Sequence, residues 1–209
     1  ERVCSITTQI LTNYVLNLLI SFLNLLSAKA YFMAGHDLPG TFAVNPKVAN
    51  ILGITSTEVL NDREKKLSDI EKGRGIAFGA SFDFSTGDLT FLMFYGSFLL
   101  GAGFDINMID YGPKSYCQGH SAPLGINGWY ASGQAYAYVS GKIGIEAKVF
   151  KKKKKFEILS IAAATWLKVE GPNTFWMKGI VGGNYSVLGG LIKGNCRFEM
   201  EIGEKCEIR

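Results

Sequence analysis

Histidine is nearly absent from this chain: His36 and His120 are the only two in 209 residues. Neither stands in a pattern of a nucleophile with an oriented base, so the sequence spells out no catalytic triad. Prolines number five and cysteines four, too few for a proline-rich linker or a disulfide-dense scaffold. Charge is sparse, at 19% of residues against 47% apolar, which excludes a disordered tail. The formal net charge is +4, and the five consecutive lysines at 151–155 account for all of it. Without them the chain is close to neutral, and global charge gives nucleic-acid binding no support. Gly101-Ala102-Gly103 lacks the third glycine and the strand-to-helix setting of a dinucleotide fingerprint, and there is no phosphate-binding lysine motif. These absences predict a protein that is not an enzyme and needs no cofactor or metal.

What is plentiful is glycine, 25 residues, most of them after position 73, where they punctuate short alternating runs. Residues 75–110 set the pattern. Ile76, Phe78, Phe82 and Phe84 fall on one face and Ala77, Gly79, Ser81 and Asp83 on the other, a period of two that specifies a strand. Turn residues 85–88 follow, and the chain returns through a second strand that is apolar on both faces. The thin face of the first strand leaves room for another element to lie close. Alternation resumes over 128–150, where alanines and aliphatic residues face tyrosines and polar ones. The lysine run is expected at a hairpin tip, where like charges stay hydrated and oppose edge pairing. Strands are then predicted over 156–169, 174–181, 185–188 and 191–202, with 182–184 as a turn. About eight strands at this spacing fit a sandwich, a barrel or a long curved sheet.

The N-terminal part reads differently. Residues 3–28 carry no charge and are rich in Leu and Ile, long enough to pass as a membrane helix. Asn13, Asn17 and Asn24, with Ser21, recur at helical spacing as a polar stripe, and asparagines are costly in lipid without partners. A helix buried in its own protein is the favoured reading, with a membrane-associated helix and an oligomer contact as rivals. Asn45-Pro46 is expected to start a short helix through Leu52, and a capping box at 55–58 to start a second that ends near Gly73. The predicted domains are therefore 1–74, a helical segment and linker, and 75–209, an antiparallel β domain. With Glu1 first and no charged n-region, a fragment or processed product is expected.

Residues 111–127 form the longest irregular segment and the natural place for an interaction loop, with Tyr116, Cys117 and His120 as its candidate residues. Cys117-Gln118-Gly119-His120 has half the spacing of a zinc knuckle but no second close pair. A disulfide between Cys196 and Cys206, ten residues apart, is predicted to staple a terminal hairpin; Cys117 competes for either partner. Asp83, Asp88, Asp105 and Asp110 lie near expected strand ends as isolated carboxylates, without the pairing that glycoside cleavage requires.

The runs GIAFGASFDFSTGDLTFLMFYG, GINGWYASGQAYAYVSGKIGI and GGLIKGNCRFEMEIGEKCEI resemble segments of large envelope or secreted proteins of Bacteroidetes-type bacteria. That resemblance implies a segment of a longer extracytoplasmic chain and carries no catalytic residue. The resulting expectation is a mainly β protein, a curved antiparallel meander (half-barrel, barrel or sandwich) packed on an N-terminal apolar helix. Its expected role is a structural or assembly component of a bacterial envelope, extracellular fibre or secretion machine, pairing with copies of itself or with other parts of a larger assembly. Two alternatives are a module that holds a lipid or other apolar ligand and a membrane-inserted β-barrel.

Overall fold

A computed structural model gives the fold and describes residues 3–11, 13–23, 25–36, 38, 43–54, 74–149 and 152–208. Its strands are β1 (Val3–Leu11), β2 (Asn13–Phe22), β3 (Leu26–His36), β4 (Arg74–Ser85), β5 (Leu89–Phe91), β6 (Phe94–Asp110), β7 (Trp129–Val149), β8 (Lys152–Gly171), β9 (Trp176–Val187) and β10 (Ile192–Gly203). One helix, α1 (Pro46–Leu52), accompanies them among the described residues. The strands form one open antiparallel sheet in the order β1-β2-β3-β4-β6-β7-β8-β9-β10, with the short β5 folded onto the start of β6. This is the mainly β meander that the alternation predicts.

The N-terminal helix is a correction. Val3–Leu11 and Asn13–Phe22 pair antiparallel as β1 and β2, and β2 pairs with β3 from Tyr14–Ala34 to Phe22–Leu26. A spacing of four is close to one helical turn, but it is also an even number of strand positions, so Asn13, Asn17 and Ser21 share a face in either conformation. The discriminating signal lay between them: Tyr14, Leu16, Leu18, Ile20 and Phe22 are all apolar at a period of two. Asn24 and the predicted helix over 55–73 lie outside the described residues. The division at 74/75 also runs through the sheet, because β3 pairs with β4 from Leu26–Phe84 to His36–Arg74.

α1 begins and ends where its capping residues place it. Asn45 Oδ1 accepts from Lys47 N at 2.9 Å, Pro46 opens the first turn, and Gly53 takes the left-handed conformation (φ 65) with its N–H on Ala49 O. Seven residues are too few to hold a helix in water, so packing must supply the stability. Val48 and Leu52 are buried against Tyr138, Ala164, Trp166 and Ile180, the main core of the molecule. Burial of two such side chains contributes about 1.5 to 3 kcal/mol each.

The C-terminal strands merge where a turn is expected. Gly182-Gly183-Asn184 continues β9 instead of ending it. A Cβ at Gly182 would lie 2.7 Å from Cys196 O and 3.1 Å from Leu52 Cδ2, so this glycine is what lets α1 approach the sheet. The lysine run is likewise more than a tip: from Lys152 on it is the first part of β8.

Candidate functional site

Strand pairing sorts the side chains into two faces of opposite chemistry. On one face, Phe82, Ala102, Ala137, Thr165, Val181 and Phe198 form a row across β4, β6, β7, β8, β9 and β10. From the Ile76–Met108–Ala131 row to the Gly96–Ile143–Leu159 row, this face of β3 to β10 carries no charged residue. Among the described residues nothing covers it. Phe82 is 39% exposed, Phe104 40%, Val181 54% and Phe198 67%. A single apolar residue at a surface is ordinary, but a contiguous uncharged face across seven neighbouring strands marks an interaction surface. Near β2 to β7 the same face holds an apolar hollow of about 530 Å³, bounded by Leu18, Ile20, Ala30, Ala80, Phe82 and Phe104.

The thick side of β4 is therefore the open one, and the thin side is covered. Gly75, Ala77 and Gly79 are buried. On that second face one row reads Tyr31, Gly79, Asp105, Gln134, Lys168 and Lys178. Tyr31 Oη donates to Asp105 Oδ1 at 2.8 Å, Gln134 Nε2 to Asp105 Oδ2 at 2.9 Å, and Trp166 Nε1 to Gln134 Oε1 at 2.9 Å. Lys47 reaches from α1 to Asp83 at 3.0 Å, and the Tyr138 hydroxyl donates to the same carboxylate. Lys168 and the fully buried Glu170 form an ion pair at 3.5 Å. Several tyrosine rings occupy the space beside glycines across the ladder: Tyr31 at Gly79, Tyr138 at Gly101, Tyr136 at Gly103 and Tyr95 at Gly144. Any Cβ there would strike the ring, which accounts for much of the glycine between β4 and β7.

The two ends of the sheet also differ. The turn end is charged: Lys155 pairs with Asp88 at 2.6 Å, Lys142 with Asp88 at 3.4 Å, and Lys153 with Glu146 at 2.6 Å. The bond from Lys155, then that from Lys142, holds the Asp88 carboxyl below its ordinary range. Part of the lysine run is thus neutralised by neighbouring acids. At the loop end, the row His36, Arg74, Asp110 and Trp129 closes the apolar face with polar and amphipathic side chains.

Of the predicted loop residues, the structure brings Cys117 and His120 to the chain's end but does not gather a site. Cys117 is bonded to Cys206, with Cα atoms 5.1 Å apart and a sequence separation of 89. This replaces the predicted Cys196–Cys206 hairpin and realises the competing partner. β10 runs straight from Ile192 to Gly203 and holds Cys196 exposed on the apolar face, so Cys206 cannot fold back to it. Gly203, at φ 87, turns the chain under the 111–128 loop, where Cys117 bridges to Ile208 and packs with Leu124 and Tyr130. Tyr116 is exposed and bridges to Pro123, and His120 Nε2 lies 3.4 Å from Glu204. Asp105 stands mid-strand with both oxygens bonded, while Asp110 accepts from Gly112 N at 2.9 Å in a turn. Asn13 and Asn17 occupy backbone positions opposite Leu11 and Tyr31. The feature that reading by motif missed is the uncharged face itself, which the even positions of β4 and β6 already encode. Among the described residues, no helix is long and apolar enough to cross a membrane. Compared with protein-family models, with curated proteins and with solved structures, the chain finds no match.

Proposed function

We propose that the protein is a non-enzymatic structural component of a bacterial envelope whose uncharged sheet face lies in lipid, as part of the wall of a membrane-inserted β-barrel. The observation that carries this reading is the opposition of the two faces: apolar and uncovered on one side, hydrogen-bonded and charged on the other. That is the alternation of a barrel wall, lipid outside and polar lumen inside. Its dimensions agree. The uncharged stretch covers residues 76–84 on β4 and 96–108 on β6, and a strand tilted by about 45° needs roughly 9 to 11 residues to cross the hydrocarbon. The charged turn end and the Trp129 row at the other end suit the two polar boundaries. A disulfide fits an extracytoplasmic compartment.

The apolar hollow favours a second reading, a module that holds an acyl chain. One experiment separates the two. Phe104→Arg places a charge near the centre of the face, at a cost of about 2 to 4 kcal/mol if that face meets hydrocarbon. In water, the same change at a half-exposed position costs within about 0.5 kcal/mol. The wild type should float with lipid vesicles, and Phe104→Arg should float poorly and unfold at lower urea in them. A wild type that stays monomeric and β-folded in water without detergent, with Phe104→Arg equally stable, overturns the membrane reading. Extractable lipid bound to that soluble form then supports the second.

A further inference from the structure

The edges of the sheet are as informative as its faces. β10 has β9 on one side and, among the described residues, no strand on the other. Its ladder runs unbroken from Ile192–Val187 to Gly203–Trp176, with no proline and no bulge to blunt it. Glu204 N donates to Phe175 O at 3.0 Å, which sets the alternation of that antiparallel ladder. Even-numbered residues of β10 therefore spend their backbone groups on β9, and the N–H and C=O of the odd-numbered residues 193 to 201 point to the open edge.

We propose that this edge pairs antiparallel with β10 of a second copy of the chain, in the register that sets Phe198 opposite its own counterpart. The order of charges along the strand selects a copy of itself. The odd positions read Lys193, Asn195, Arg197, Glu199 and Glu201, so a two-fold arrangement lays a basic half over an acidic half. Centred on Phe198, Arg197 faces Glu199 of the other copy, twice, and the apolar residues stay on one side. Centred on Arg197 or Glu199, like charges meet at the two-fold axis; centred on Cys196, Glu201 and Ile202 fall opposite the turn residues 190 and 191. Direction adds an independent reason. Nine alternating strands leave β1 and β10 running the same way, so the sheet cannot close on itself by an antiparallel pair, whereas a two-fold copy offers one. The pairing uses main-chain groups and does not rest on the lipid reading.

The test is disulfide trapping in a background with Cys4 and Cys196 replaced by Ser and the Cys117–Cys206 bond retained. Across the new ladder, position 198 is a non-hydrogen-bonded pair with Cα atoms about 4.5 Å apart, within reach of a disulfide. Phe198→Cys under mild oxidation should give mostly covalent dimer on non-reducing electrophoresis. Ile192→Cys, whose register partner is position 204, should give little. Within each chain Glu199 already pairs with Lys178 at 2.6 Å and Arg197 at 2.9 Å, so the charge test uses two variants: adding Glu199→Arg should weaken dimerisation about tenfold by setting like charges opposite, and Glu199→Gln, which adds no like charge, should weaken it less. Phe198→Cys that stays monomeric while its strand circular dichroism is intact, or Ile192→Cys that links equally well, overturns the proposal. Vesicle flotation is a separate measurement, so failure here leaves the membrane reading standing or falling on its own.

Discussion

Asp105→Ala should be among the most damaging single changes on the polar face. The carboxylate accepts from Tyr31 Oη at 2.8 Å and Gln134 Nε2 at 2.9 Å, and Gln134 in turn accepts from Trp166 Nε1 at 2.9 Å. Bonds to a charged acceptor contribute about 1.5 to 3 kcal/mol each, but in a shared network they do not add. Because the site is only partly buried, water can reclaim some of the loss, and the expected cost is about 2 to 4 kcal/mol. Asp105→Asn is the informative companion. Its single carbonyl oxygen can serve Tyr31 or Gln134, while its NH₂ opposes whichever donor is left, so roughly half of that cost should remain. Urea unfolding followed by the near-ultraviolet circular dichroism of Trp166 reads both variants, since Trp166 is oriented through Gln134. A cost below about 0.5 kcal/mol for Asp105→Ala would refute the reasoning, as would equal costs for Asn and Ala, because the first denies the network and the second denies its geometry.

Two further outcomes follow from the packing and the charges. Gly182→Leu should displace α1, since even a Cβ there meets Leu52 Cδ2 and Cys196 O; overpacking of this kind costs about 1 to 3 kcal/mol, and unchanged thermal unfolding with full amide protection of Leu52 would show that the helix does not depend on this glycine. Asp88 is held below its ordinary range by Lys155 and Lys142, so its contribution to stability is present above the unfolded carboxyl value of about 3.9 and is lost as pH falls through the depressed folded value. A carbon-13 NMR titration should place its midpoint below that of a free carboxyl, and Lys155→Gln should move the midpoint upward; no movement would dissolve the proposed turn-end cluster.

Chemistry and local geometry were readable from the sequence wherever a signal was both short and exclusive. The alternation of Ile76, Phe78, Phe82 and Phe84 admits only a strand, and Asn45-Pro46 starts a helix by the hydrogen bonds such residues can and cannot make. Ambiguity entered where two periods coincide. Asn13, Asn17 and Ser21 sit four apart, which satisfies helix and strand together, and β3 decided between them by offering a ladder to β2 along nearly its whole length. Alternation also separates two faces without saying which is covered. α1 settled that by docking on the thin side, where Ala164 and Gly182 let it approach, and so left the phenylalanine face of β4 open. The cysteine pairing was beyond local reading for the same kind of reason: β10 extends past Cys196 in a straight line, and only the turn at Gly203 carries Cys206 to a loop 89 positions away. Period and capping are properties of a few adjacent residues, so the sequence alone determines them; coverage, strand partnership and long-range bonding depend on where distant segments come to rest, and only the folded sheet decides those.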